Sequence, residues 1–334
     1  MTPLDIFLNR HDRLRSGWRF AVFAALYLAA ASAIAVTITF LTRMTPTSGA
    51  QPLSQLPGWL VYLLTFLIQF VPAVLLGWGC GRLFEDLPLS AQGWTTHRGW
   101  LRNFLLGSLI GAAALALAAL VGTICGGFHY SLTTTLASSA FIKTFFGACG
   151  VYVLLAAGEE ALFRGYPLQT MLRSLPFLIA VLPTSLIFAA GHFANPNVPH
   201  NYLLAIQFVN TALAGVWLSI GYWRTRSMWL PLGLHWAWNW TMGSLLGLPV
   251  SGITSLTRAP LLRATDRGPV WLTGGAYGLE GGLACTLALV IAIIYLWRTR
   301  LLKPVAELRR YTDGEQPKAA TYGDMDESAI KQIV

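Results

Sequence analysis

The chain has 334 residues, of which 55% are hydrophobic and only 11% charged, with a mean hydropathy of +0.56. A soluble domain carries about 25% charged residues, so this composition excludes a water-soluble globular fold and places the chain among all-α, polytopic integral membrane proteins. The net charge of +9 follows the connections between apolar runs, which removes nucleic acid as the reason for it.

Arg10, Arg13, Arg15 and Arg19 precede the first apolar run, 20–41, which is long enough to span a bilayer and lacks the short core and small-residue cleavage site of a secretory signal. Further spans are expected at 59–80, 101–123, from 141 into a Glu-Glu pair, at 177–193, 202–222, 228–246 and 276–297. The expectation is therefore a bundle of about eight transmembrane helices over 1–303, followed by a solvated polar tail over 304–334. Cys80, Cys125, Cys149 and Cys285 lie in or beside apolar runs without metal-type spacing and read as small core residues.

Eight helices put both termini on one side. The N-terminus, 82–102, 164–173, 224–226 and the C-terminal segment hold 18 of the 23 Lys and Arg, so the positive-inside rule predicts a cell-membrane protein with both termini cytoplasmic. The 248–274 connection fits poorly, because its three arginines fall on the other side, and it reads as a re-entrant or extracytoplasmic loop.

Gly158-Glu159-Glu160-Ala161-Leu162-Phe163-Arg164-Gly165 puts three charges inside an apolar run. Each costs on the order of 3 kcal/mol in a bilayer even on the lenient insertion scale. Glu160 and Arg164, four apart on a helix, share a face and can neutralise one another; Glu159 points about 100° away and needs a partner on another helix, a cavity or a proton. Phe188 and His192 are also four apart, as are His235 and Asn239; Gln207 and Asn210 are weaker candidates. If the chain turns near 174–175 and near 225, Glu159 lies within two residues of the depth of His192, and Asn239 is as far from its turn as Glu159 is from Arg173. Gly158, Gly191 and Gly233 flank these residues, and small residues let membrane helices approach closely.

Such a set suits water activation. A carboxylate near a histidine can take a proton from water, and a second histidine with an amide can donate to an oxyanion. Glu159, His192 and His235 would equally make a plausible set of zinc ligands, and since no His-Glu-x-x-His helix is present the sequence does not separate a zinc enzyme from a metal-free one. Taken singly, an intramembrane histidine is more often a satisfied core residue, and a Glu–Arg pair can be purely structural.

Together, Glu159-Glu160-x-x-x-Arg164, Phe188-x-x-x-His192 and His235-x-x-x-Asn239 resemble the motifs of the CPBP family, the CAAX prenyl endopeptidases and bacteriocin-processing or immunity proteins also called Abi, over roughly 140–250. The resemblance implies an eight-helix intramembrane endopeptidase with its site inside a conical cavity. In it Glu159 and His192 would activate water, His235 and Asn239 would form the oxyanion site, and Glu160 and Arg164 would hold the first motif's helix. Its substrate would be a membrane-anchored or membrane-proximal peptide or protein. Members are commonly labelled metalloproteases, while glutamate catalysis without an obligatory metal is suggested for an archaeal relative. The alternatives are a non-proteolytic immunity or binding protein on the same scaffold and a proton-coupled transporter, although the strongest polar residues gather on three spans, which favours a site over a pathway.

Overall fold

The computed structural model describes residues 3–44, 57–133, 138–257 and 259–315. In chain order these form α1 (Ser16–Met44), α2 (Gly58–Glu85), α3 (Trp100–Ile124), β1 (Phe128–Leu132), α4 (Ser139–Phe163), α5 (Tyr166–Ser174), α6 (Phe177–Gly191), α7 (Leu203–Thr225), α8 (Trp229–Trp240), β2 (Leu262–Asp266), the one-turn α9 (Val270–Thr273), α10 (Leu283–Arg298) and α11 (Ala306–Thr312). Six helical stretches are long and apolar enough to cross a membrane: Ser16–Phe40, Gly58–Glu85, Trp100–Ile124, Ser139–Ser174, Phe177–Ala194 and Leu203–Thr225. Their outer faces expose Val36, Leu109 and Ile124, which suits lipid rather than water. The chain is an all-α polytopic bundle, but two of the eight expected spans fall short. Helix α8 covers 12 residues before it widens into a π turn at Thr241–Leu245, and α10 covers 16. The expected start of the last span near 276 is wrong for a local reason. Gly274, Gly275 and Gly278 all take positive φ, which breaks the helical run into two short 3-10 turns, Gly275–Tyr277 and Leu279–Gly281, before α10 begins.

Close backbone contact holds the site helices. Glycines let α3 and α8 touch: a Cβ at Gly233 would lie 2.2 Å from the Phe104 carbonyl, and one at Gly107 would lie 2.3 Å from the Leu230 carbonyl. On α4, Gly158 leaves room for the Gln69 side chain of α2, whereas Gly191 has nothing within 4 Å and is not required by packing. Helix α4 starts on the Ser138 hydroxyl, which accepts from the Phe141 amide, and ends at Arg164. Gly165, where a Cβ would meet the Ala161 carbonyl at 2.1 Å, lets the chain turn into α5.

The 248–274 connection is a built structure. Its β2 pairs antiparallel with β1, from Phe128↔Asp266 to Leu132↔Leu262, and the chain then tucks Tyr277 and Leu279 into the core. Arg258 lies outside the described residues. At the other end of the bundle, Arg19 and Arg173 both pair with Glu85, Arg13 with Asp86 and Arg226 with Asp313. Arg19 also pairs with Glu315, so the N-terminal segment, the α2 end, the α5 end, the α7–α8 turn and the C-terminal chain meet there. Residues 306–315 are thus packed on the bundle, with Leu308 and Thr312 buried, and the polar tail expected over 304–334 otherwise lies outside the described residues.

Candidate active site

Glu160 is completely buried in the last turn of α4, where its Oε1 accepts from Arg164 Nη1 at 3.2 Å and from His235 Nδ1 at 2.8 Å. An ionised carboxylate only accepts, so the imidazole must donate through Nδ1, and this fixes its tautomer and ring plane. His235 Nε2 then faces Glu159 Oε2 at 3.7 Å, an ion-pair distance rather than a hydrogen bond. One imidazole is therefore clamped between adjacent carboxylates of α4. The partner that Glu159 lacked in its own helix is supplied by α8. Glu159 Oε2 is buried without a hydrogen-bond partner among the described residues, a position in which a carboxylate oxygen requires a proton or water.

Arg164 is the buried cation beneath this group. It bonds Glu160 and the Gly215 carbonyl of α7 and lies 4.4 Å from the centroid of the Phe188 ring. Cation–π attraction of this kind is worth about 2 kcal/mol when desolvated. Phe188 in turn meets the His192 ring at 4.6 Å and the His235 ring edge-on at 6.3 Å. His192 stands in the short 3-10 turn that ends α6, and its Nδ1 donates to the Phe188 carbonyl at 2.8 Å. In the neutral ring that leaves Nε2 as the acceptor. Asn239, one turn beyond His235 on α8, joins Phe188, His192 and His235 in lining a cavity of about 30 Å³, which is room for one or two waters.

Of the residues singled out from sequence, Glu159, Glu160, Arg164 and His235 meet directly, Phe188 and His192 stack against that group, and Asn239 shares the cavity wall. Glu159 reaches His235 rather than the wall of that cavity. The zinc set is not supported: among the described residues no three His, Cys, Asp or Glu converge to hold a metal ion. Arg164, counted among the cytoplasmic cations, belongs to the site and leaves that count.

Sequence reasoning missed Glu280. It lies between Gly278 and Gly282, lines the same cavity, and accepts at Oε1 from Trp238 Nε1 (3.0 Å) and at Oε2 from the Ser251 amide and hydroxyl (both 2.7 Å). Asn210, noted only as a weak candidate, donates to the Glu280 and Gly282 carbonyls at 2.8 and 2.9 Å and so pins this chain to α7. A lone acid among five glycines in an otherwise apolar stretch was the available signal.

Bundle and site together define a multi-pass membrane protein with a glutamate–histidine centre enclosed by α4, α6, α7 and α8. Residues 141–241 match the family model described as Type II CAAX prenyl endopeptidase Rce1-like. All three motifs lie within that interval, so the CAAX protease family is the one their resemblance indicated, and the match supports intramembrane endopeptidase activity. No curated protein and no solved structure matches the chain.

Proposed function

We propose that the protein hydrolyses a peptide bond of a membrane-anchored or membrane-proximal substrate through a water activated by Glu159 with His192, without a metal. The observation that carries this is the His235 imidazole held between Glu160 and Glu159, beside a water-sized cavity walled by His192, His235 and Asn239. Glu159 takes a proton as the water oxygen attacks the carbonyl carbon, a role worth about 10²- to 10⁴-fold in rate. The acceptor Nε2 of His192 orients that water. The negative charge that develops on the carbonyl oxygen is met by the Asn239 amide and by His235, which donates through Nε2 when doubly protonated, a form that both flanking carboxylates neutralise. Collapse of the tetrahedral intermediate breaks the C–N bond, and Glu159 returns its proton to the leaving amine. Glu160 and Arg164 take no part in proton transfer; they hold His235 and the end of α4 in place.

The test is cleavage of a fluorogenic membrane-anchored peptide by purified protein in detergent. Glu159→Gln and His192→Ala are expected to lose about 100-fold or more in kcat with little change in melting temperature. A strong chelator is expected to leave the wild-type rate unchanged. Cleavage that persists in Glu159→Gln overturns the assignment.

A further inference from the structure

The ion-pair end of the bundle carries positive charge that its own carboxylates do not use up. Between the N-terminal segment, the start of α1 and the end of α5 lies a cavity of about 930 Å³ whose wall includes Arg10, Arg15 and Arg173. Arg10 and Arg15 are exposed and belong to none of the ion pairs among the described residues. Arg173 is only 7% exposed; its Nε and Nη2 bond Glu85 at 2.8 and 2.9 Å, while its Nη1 is buried without a partner among the described residues. The carboxylate on the wall, that of Glu315, is already committed, with Oε1 on Arg19 at 2.9 Å and Oε2 accepting from Asn9. Arg19 itself, fully buried, still leaves Nε and Nη2 unpartnered. Ser16 and Gly17, also on the wall, open the 29-residue α1, whose dipole adds partial positive charge at the same place. A buried guanidinium nitrogen without an acceptor costs free energy, so a wall of this make-up favours an anion.

We propose that this cavity binds the phosphate of an anionic phospholipid headgroup. The first apolar span is Ser16–Phe40, so the cavity at its start stands at headgroup depth. Leu4, Ile6, Phe7 and Trp18 are exposed beside it, and the Phe7 and Trp18 rings pack with centroids 5.2 Å apart, an apolar and aromatic collar suited to the bilayer interface. Ala21, more than a turn into the span, belongs to the same wall and gives the acyl chains an apolar exit. Arg10 and Arg15 are the groups free to grip phosphate oxygens through charge-assisted, forked hydrogen bonds, with Arg173 a fixed charge on the same wall. A soluble phosphate would meet the same donors but would gain nothing from the collar. The bound lipid ties the N-terminal segment to the end of α5, and the binding is independent of the endopeptidase reading above.

The experiment uses the full chain in detergent micelles doped with phosphatidylglycerol or with phosphatidylcholine of the same acyl chains. Retained lipid is read by native mass spectrometry and stabilisation by melting curves. Phosphatidylglycerol is expected to bind about ten-fold tighter or more, and to raise the melting temperature where phosphatidylcholine does not. Arg10→Gln and Arg15→Gln are each expected to weaken phosphatidylglycerol binding about five-fold, and the double change to erase its advantage. Arg98→Gln removes an exposed arginine outside the cavity and is expected to change binding by less than about two-fold. Arg15 also bonds the Asp5 and Leu8 carbonyls, so Arg15→Lys, which keeps the charge, should retain the preference if charge is what matters. Melting curves in phosphatidylcholine alone show whether each variant is folded. Inorganic phosphate and glycerol 3-phosphate, at matched ionic strength, are expected neither to raise the melting temperature nor to displace the lipid. Displacement by either at the lipid's own concentration makes the site one for a soluble phosphate and overturns the lipid assignment. Equal retention of the two lipids, a preference that survives the double change, or an equal loss in Arg98→Gln overturns the proposal.

Discussion

Glu160 shows how far one residue can be over-committed. Its Oε1 serves a guanidinium and an imidazole at once, and the side chain has no access to solvent. Glu160→Gln would keep a neutral acceptor for His235 Nδ1 but leave the Arg164 charge buried without a counter-ion. Breaking a buried pair from one side costs about 3–5 kcal/mol because the surviving charge is uncompensated. A melting curve in detergent should show a fall of that order, together with lost cleavage. Glu160→Gln combined with Arg164→Met should recover much of the stability and none of the activity; a stable single variant would mean the pair contributes little. Most of this site was legible in the sequence, because charges four apart in an apolar run cannot be left unpaired. Which carboxylate His235 would choose was not legible, since that depends on the rotation of α8 against α4. Glu280 escaped notice because its role comes from donors at Trp238 and Ser251, 42 and 29 residues away, in a segment whose path no periodicity sets.

Helix packing explains why α8 can deliver His235 at all. The α3–α8 approach depends on Gly107, Gly111 and Gly233, where a Cβ would sit 2.2–2.3 Å from backbone oxygens of the facing helix. Backbone cannot yield as a flexible side chain can, so Gly233→Ala must push the helices apart, at a cost of about 1–3 kcal/mol, and shift His235 relative to Glu160. Thermal stability and cleavage should fall together in this variant. Gly191→Ala, next to His192 but with nothing within 4 Å of its Cβ, should leave the melting temperature unchanged and separates a packing glycine from an incidental one. The long apolar helices were legible from hydropathy. The shortness of α10 was not, because hydropathy cannot see the positive φ angles of Gly274, Gly275 and Gly278 that end the run. A second element-scale effect belongs to the C-terminal clasp. Partial burial pushes the Asp313 carboxyl up, but the Arg309 hydrogen bond and the neighbouring Arg226 overrule it and hold the group below the usual Asp range. A depressed carboxyl stabilises the fold above its unfolded value of about 3.9, and that contribution disappears as pH falls through the folded value. Asp313→Asn should therefore lower the melting temperature slightly at pH 7, and the difference from wild type should shrink as pH is taken below the unfolded value, with a small amplitude because the pair is partly solvated.

At the scale of the whole molecule, five separate stretches of chain meet at one end of the bundle. The Arg13–Asp86, Arg19–Glu85, Arg173–Glu85, Arg226–Asp313 and Arg19–Glu315 pairs tie the N-terminal segment, α2, α5, the α7–α8 turn and the C-terminal chain together. These are the stretches whose Lys and Arg dominate the loop charge, so the positive-inside rule predicts, still after Arg164 is set aside, that this end faces the cytoplasm. The β1–β2 ribbon and the chain bearing Glu280 then lie toward the opposite face. The Asn195–Ser251 and Asn197–Gly252 hydrogen bonds tie the chain after His192 to the same connection, and Ser251 lines the cavity. Reporter fusions decide the matter. A fusion after Tyr311 and one within 224–226 should report cytoplasm, and one at Asn197 should report the other side. If the Tyr311 and 224–226 fusions disagree, the ion-pair cluster does not form in the membrane. If they agree but report export, the bundle is inverted, and the β1–β2 ribbon would lie on the cytoplasmic side instead.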